Sequence, residues 1–368
     1  MTPQGLHERV RAEGLLGESG QVVAMISGGR DSVCLLDVAV AVRGAESVRA
    51  LHVNYGLRGR ASYEDERHCA ELCSRLGVWL ELVRVGEDER GTGNLQAWAR
   101  ERRYEVARRL AAELDAPVAT GHTASDQVET ILYRLAASPG RRALLGMSAR
   151  ERWLVRPLLG VTREQTAEYC RARGLSWRED TSNDDIQYAR VRVRKLLVPA
   201  LRAVHPAAQE NVRRTAELLR EETDLLDGLV ATELEGHESI AIDRLAELHP
   251  ALARLVVVRL AEDAAGALVP QAGARVGEIL ALGKRGGAAE LHVGGNVGAR
   301  IAAGELSMVK LAPSEWAPEE SREPGDWGSG LQSARDPAQE SGDPAQEPED
   351  PDGGAGAAPG EGGAANGD

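Results

Sequence analysis

Between Gln21 and Arg43 three stretches follow one another directly: a short apolar run, a six-residue segment of glycines, serines and charge, and a second apolar run. Gln21–Ile26 has the length of a strand, whereas Val33, Leu35, Leu36 and Val40 within Asp31–Arg43 fall at helical spacing. The unit strand, tight loop, helix then recurs. Arg49–Val53 predicts a second strand ending at Asn54, Tyr63–Leu76 a helix stopped by Gly77, and Val78–Val85 a third strand. Asn94 precedes a long helix to about Leu114, with Leu95, Trp98, Tyr104, Val106 and Leu110 for its buried side, and Pro117–Thr120 predicts a fourth strand running into Gly121 and His122. Strands alternating with helices imply an α/β fold, a parallel sheet covered by helices on both faces. Ligands of such sheets bind beyond the carboxyl ends of the strands. Ser27–Ser32 and Gly121–Glu129 both begin where an expected strand ends, so the two segments are expected to face one crevice.

From His205 to about Leu282 the pattern turns helical, through Leu218, Leu219, Leu225, Leu226, Leu252, Leu255, Val256 and Leu260. Glu290–Val293, Ala299–Ala302 and Leu306–Leu311 then predict short strands with glycine turns, giving a second, mainly α domain with a small terminal sheet. The formal net charge of −13 is unevenly placed: residues 313–368 hold fourteen acids and two arginines, leaving about −1 for residues 1–312. That acidic stretch repeats Asp-Pro-Ala-Gln-Glu at Asp336 and Asp343 and has little to bury, which predicts a disordered tail. The expected organisation is a catalytic domain over 1–200, an α-rich domain over 201–312 and the tail. Cys34, Cys69, Cys73 and Cys170 sit in apolar or helical patterns without a CxxC pair, which fits a reducing cytoplasm; Cys69 and Cys73, four apart, suit helix packing. Met1 to Gly20 is charged throughout, so no signal peptide or membrane span is expected.

Gly28 and Gly29 let backbone N–H groups approach a polyphosphate, and the helix that follows offers unpaired donors and the positive end of its dipole. The hydroxyls of Ser27 and Ser32 can add hydrogen bonds. Asp31 suits a phosphate site when Mg²⁺ bridges the two, so Mg-ATP is the expected ligand, with Asp31 the candidate metal ligand. The bland alternative is a plain strand-to-helix turn with Asp31 as a helix-start charge. A kinase-type P-loop is excluded, because no GxxxxGK(S/T) occurs.

Ser27-Gly28-Gly29-Arg30-Asp31-Ser32 resembles the SGGxDS signature of PP-loop ATP pyrophosphatases, which cleave ATP to AMP and pyrophosphate while adenylating a substrate. The segment Gly121-His122-Thr123-Ala124-Ser125-Asp126-Gln127-Val128-Glu129-Thr130 resembles the GHxxDDQxET motif of tRNA(Ile)-lysidine synthetases, with Ser125 replacing the first Asp. Leu51–Arg58 is similar to that family's HVxHGLR, with Tyr55 in place of His. Arg156-Pro157-Leu158-Leu159 matches its RPLL run, Glu179–Asn183 its DPSN element apart from Thr181, and Tyr188–Arg194 its YxRNRIR pattern apart from Val191. The likeness is close over about residues 20–200 and loose over 205–312.

The resemblance implies that free L-lysine is joined through its ε-amine to C2 of the wobble cytidine of a CAU-anticodon isoleucine tRNA, after ATP activates the cytidine O2. It implies ATP contacts at Ser27, Gly28, Gly29, Arg30, Asp31, Ser32, Val53, Gly121 and His122. Lysine arrives mostly as an ammonium with a pKa of roughly 10.4, so a carboxylate must take a proton before it attacks. Asp126 and Glu129, three residues apart, share one helix face; Asp126 is the candidate reactive carboxylate and Glu129 its support, the alternative being ordinary helix-start acids. His122 contacts the nucleotide or stabilises a turn. Arg190, which matches the family motif, is the choice among Arg190, Arg192 and Arg194 for pyrophosphate or tRNA phosphate, a guanidinium fork suiting phosphate better than a lysine. Arg100, Arg102, Arg103, Arg108 and Arg109, with Arg213 and Arg214, can supply basic patches for tRNA, against the alternative of solubilising surface charge. A monomer and a homodimer both stay open. Competing readings are a PP-loop tRNA thiolase, which the missing CxxC disfavours, a small-molecule ligase with the same loop, and an inactive RNA-binding relative altered at Ser125, Tyr55 and Val191.

Overall fold

The computed structural model describes residues 1–86, 95–137, 141–179 and 186–311. The expected tail at 313–368 lies outside the described residues, as do Asn94 and positions 180–183 of the Glu179–Asn183 element. The first part of the chain runs α1 (Pro3–Glu13), β1 (Val22–Met25), α2 (Arg30–Arg43), β2 (Val48–Asn54), α3 (Arg60–Leu76), β3 (Trp79–Arg84), α4 (Leu95–Leu114), β4 (Val118–Ala119), α5 (Ala124–Ala137), α6 (Arg141–Leu144), β5 (Arg150–Glu151), β6 (Leu154–Val155) and α7 (Arg163–Ala172). The sheet order is β3-β2-β1-β4-β6-β5, parallel throughout except for the edge pair β5–β6.

β1 is buried along its whole length because both faces of the sheet are covered. Val22, Ala24 and Ile26 pack with residues of α1, α2, α3 and α7, while Val23 and Met25 pack with Val106, Ala107 and Ala111 of α4. This explains why β1 reads as an unbroken apolar run and not as an alternation. The chain leaves β1 for β2 and β3 on one side and returns to β4 on the other, so the strand order reverses between β1 and β4. The crevice beyond their carboxyl ends is the topological switch point. α7 is fastened beneath it: Tyr169 Oη donates to Asp37 Oδ2 at 2.5 Å and Arg173 Nε to the same oxygen at 2.9 Å, which pairs the buried Asp37 carboxylate of α2.

The second part comprises α8 (Ala189–Arg192), a π-helical turn over Val193–Leu197, α9 (Val198–Val204), α10 (Ala208–Leu234), β7 (Ser239–Ala241), α11 (Ile242–Glu247), α12 (Pro250–Ala265), α13 (Val276–Arg285), β8 (Ala289–Gly294), β9 (Val297–Ala302) and β10 (Glu305–Lys310). Its antiparallel sheet, β7-β10-β9-β8, contains one strand the periodicity did not predict, since β7 spans only three residues. A separate core of Val256, Val257, Leu260, Ile279, Ile301 and Leu306 holds it together. One side-chain expectation fails: Leu95, expected on the buried side of α4, is exposed at its start. The helical pattern through Leu218 and Leu225 holds as α10, on which both are exposed. Among the described residues no helix is long and apolar enough to cross a membrane.

Candidate active site

The loop after β1 turns at Gly28, whose φ of 82° lies in the left-handed region, and Gly29 then caps α2 in extended conformation. Ser32, one turn into the helix, organises the loop internally: its Oγ donates to Gly29 O at 2.8 Å and accepts from Ser27 N–H at 3.1 Å, with Ser27 Oγ 3.2 Å away. The open amino end of α2 therefore faces the crevice with its donors and dipole aligned. Val53 lies on β2 and packs by its side chain against the core of the α4 face.

Gly121 brings the second segment against this loop. A Cβ there would stand 2.9 Å from Asp31 O and 3.1 Å from Ser32 N, both backbone atoms that have nowhere to go. Glycine is required by that close approach, and it sets the amino end of α5 beside the amino end of α2. Thr123 and Asp126 then close a reciprocal cap: Asp126 Oδ2 accepts from Thr123 N–H at 2.8 Å and from Thr123 Oγ1 at 2.6 Å.

One residue that sequence reasoning missed gathers the acids. The Arg163 guanidinium donates to Asp126 Oδ1 and to Glu129 Oε1, and its Nε stands 3.8 Å from Asp31 Oδ2. Thr166 Oγ1, one turn on, donates to Asp31 Oδ1 at 2.5 Å, and Arg30 Nε reaches that oxygen at 3.1 Å. Burial pushes the Asp126 carboxyl up, but the charge of Arg163 and the Thr123 hydrogen bonds outweigh it and hold Asp126 below its usual range. Glu129 goes the other way, raised by burial beyond what Arg163 returns. A signal was available. Thr162 and Gln165 form a capping box that marks the start of α7, and an arginine at the first position of a helix opposes the dipole unless a local acid compensates.

On the other side of His122 the crevice is basic. Burial pushes the His122 imidazole down to about 3, and the charges of Arg156, Arg100 and Arg103 reinforce this against the opposite pull of Asp126. Arg100 is lowered by burial and then by Arg190, Arg103 and Arg156, and Arg134 by burial, Arg190, Arg156 and Arg100. Five guanidiniums from α4, α5, the end of β6 and α8 thus share one electrostatic neighbourhood, with Glu151 pairing Arg156 and Tyr104 lying under Arg100 at 5.0 Å. Arg156 is the most enclosed, donating to Ser148 O at 2.6 Å while its Nε meets no protein acceptor.

The three arginines of the Tyr188–Arg194 run take separate directions. They lie on helical turns, where residues two apart point to opposite sides. Arg190 joins the basic cluster and Arg194 acts on Glu129, while Arg192 donates to Gln187 O at 2.9 Å. The expected patch on α4 divides similarly. Arg100 and Arg103 turn toward the crevice, whereas Arg102 pairs with Glu105 and Arg109 with Glu113. Arg213 is offset by Glu210 and Glu217.

The departures from the family motifs have local accounts. Ser125 is buried and its Oγ accepts the Arg163 backbone N–H at 3.3 Å, tying α5 to α7. Val191 faces the interior, where an apolar side chain fits. Tyr55 packs edge-on against Trp98 at 5.9 Å, and burial pushes its phenol up to about 12.

Residues 7–201 match the family model described as a PP-loop domain. The tRNA(Ile)-lysidine synthase of Symbiobacterium thermophilum is 39% identical over 60% of this chain and 48% of its own length. That of Salinispora tropica is 37% identical over 80% of this chain and 92% of its own length. The chain therefore spans about half of the first relative and nearly all of the second. Among solved structures, the U34-tRNA thiolase of Methanococcus maripaludis superposes with a TM-score of 0.50 at 18% identity, over 59% of this chain and 78% of that one, a likeness of fold.

Proposed function

The chain belongs to the tRNA(Ile)-lysidine synthase family of PP-loop proteins, and on that premise we propose that it adenylates the wobble cytidine of the CAU-anticodon isoleucine tRNA with ATP and attaches L-lysine at C2. AMP and pyrophosphate are the other products. The observation that carries this reading is the meeting of Asp31 from the phosphate loop with Asp126 and Glu129 around Arg163, beside the cluster of five arginines. One crevice then offers a place for an ammonium and a place for phosphates.

In the first step the cytidine O2 attacks the α-phosphorus and pyrophosphate leaves. The backbone of Ser27–Ser32, with Arg30 beside it, holds the phosphates, and Arg190 with Arg100, Arg103, Arg134 and Arg156 stabilises charge that accumulates on the phosphoryl and leaving groups. Val53, Gly121 and His122 border the nucleotide. In the second step the ε-amine attacks C2, AMP leaves, and the amine gives up a proton. Asp126, held ionised, anchors the ammonium. Glu129, raised by burial, is the better proton acceptor of the pair, which refines the division of labour expected from sequence.

A Mg²⁺ ion fits the donor set. Among the described residues no three His, Cys, Asp or Glu side chains converge as a self-sufficient metal cage, and Asp31 alone is the single hard ligand such an ion takes when phosphates and waters complete its shell. There it would neutralise phosphate charge. We assign residues 1–200 to catalysis and 201–312 to tRNA binding. The four free, buried cysteines suit a reducing compartment, and the reading places the enzyme in the cytoplasm.

The test is incubation with ATP, labelled lysine and unmodified CAU-anticodon isoleucine tRNA. AMP release and lysine incorporation are expected together; Glu129→Gln, which removes the proton acceptor, should lower incorporation by about 10²–10⁴-fold, and Asp126→Asn should weaken lysine binding. AMP formation without lysine entering the tRNA would leave an ATP-cleaving PP-loop protein of another specificity.

A further inference from the structure

The phosphate loop is flanked at Gly28 by two other segments of chain. On one side stands α3: a Cβ at Gly28 would lie 3.5 Å from both Cys69 Sγ and His68 Cδ2, and 3.7 Å from Asp65 O. On the other side runs the segment after α7, where Arg178 N–H donates to Gly28 O at 2.9 Å. The two walls are joined by their side chains. Asp65 accepts from the Arg178 guanidinium through Oδ1 and from Arg58 through Oδ2, and Glu64 accepts from Arg178 at 3.0 Å. Arg58 belongs to the loop after β2, where its backbone N–H donates to Ser62 Oγ at 3.1 Å. Asp65 is thus a carboxylate only 10% exposed, with one charge-assisted partner on each oxygen, shared by three segments of chain.

The peptide plane supplies the functional consequence. In a planar trans peptide the C=O and the N–H point in opposite directions. Fixing Gly28 C=O on Arg178 therefore aims the Gly29 N–H away from Arg178. The same hydrogen bond keeps Gly28 in its left-handed turn, which orients the start of α2.

We propose that Asp65 is a positioning residue for nucleotide binding: by holding Arg178 it keeps the Gly28 carbonyl turned outward and the loop's N–H groups aimed at the phosphates. The inference rests on the assignment of Ser27–Ser32 as the nucleotide cradle and is independent of what receives the adenylate. Neither Asp65 nor Arg178 belongs to the motif segments that carry the family resemblance. Arg178 stands immediately before one of them.

The experiment measures the Kd of ATP by calorimetry, without tRNA or lysine, for the full-length protein and for Asp65→Asn, Arg178→Gln, Arg178→Lys and the double variant Asp65→Asn/Arg178→Gln. Thermal melts are recorded alongside. We expect about tenfold weaker ATP binding in Asp65→Asn and in Arg178→Gln, no further loss in the double variant, and partial recovery in Arg178→Lys. In turnover the KM for ATP should rise while the KM for lysine stays within about twofold. Arg178, whose side chain is about one-third exposed, keeps the test usable if Asp65→Asn does not fold. Unchanged ATP affinity in the folded variants, or equal increases in both KM values, overturns the inference. Failure of the wild-type protein to bind ATP overturns the cradle assignment instead.

Discussion

Two halves of one crevice, separated by the start of α5, carry opposite charge for opposite reasons. The acidic half sets Asp31, Asp126 and Glu129 around the guanidinium of Arg163, so each buried charge has a partner of the other sign. The basic half sets Arg100, Arg103, Arg134, Arg156 and Arg190 near one another, with Glu151 the carboxylate paired to the cluster and with His122 held neutral. A satisfied ionic cluster rigidifies a fold, and losing one member leaves uncompensated buried charge. A like-charged cluster with too few counter-charges costs stability and is tolerated where a ligand of opposite charge completes it. The difference teaches that the acidic half is built to be stable by itself and to exchange a cation, whereas the basic half awaits an anion.

Opposite effects on stability would sharpen this contrast most. Arg163→Gln leaves three carboxylates facing each other, and a loss of about 3–5 kcal/mol is expected in chemical denaturation. A variant as stable as wild type would break the account of the acidic half. Arg100→Met removes a repelled, enclosed charge, so its denaturation midpoint should hold or rise while affinity for pyrophosphate and for tRNA falls about tenfold. The slope of tRNA affinity against salt should also flatten by about one. Equal stability losses in Arg100→Met and Arg163→Gln would erase the distinction between the halves.

The smallest effect concerns His122. Its folded pKa lies below its unfolded value of about 6.5, so its contribution to stability is complete above that pH and is lost as pH falls toward about 3. Between pH 7 and pH 5 the loss attributable to this group is on the order of 1–2 kcal/mol. His122→Asn should therefore show a shallower decline in stability over that interval; an identical pH dependence in the two proteins would mean that the basic half does not hold His122 neutral.

The features legible in the sequence are those confined to one short segment. The phosphate loop, the acid pair and the strand-helix alternation each show themselves within about ten residues, because turn chemistry and periodicity act locally. Arg163, Thr166 and Arg134 were not legible, since their meaning depends on which segments abut. The arginines of Tyr188–Arg194 show the same limit from the other side. The motif singled out Arg190 but said nothing of its neighbours, and helical geometry sent Arg190 to the basic half, Arg194 toward Glu129 and Arg192 to its own loop. Ser125, which looked like the loss of an acid, became a link between α5 and α7.

By itself the sequence determined that Ser27–Ser32 follows a buried strand and opens a helix, and that Gly121–Glu129 does the same, because glycine freedom and apolar periodicity are properties of the local chain. Only the tertiary structure decided that these openings touch at Gly121 and Asp31, that Arg163 joins their acids, and that five arginines share the opposite wall. The strand order that reverses between β1 and β4 puts these distant segments side by side, and charges interact through space over a few ångströms whatever their separation along the chain.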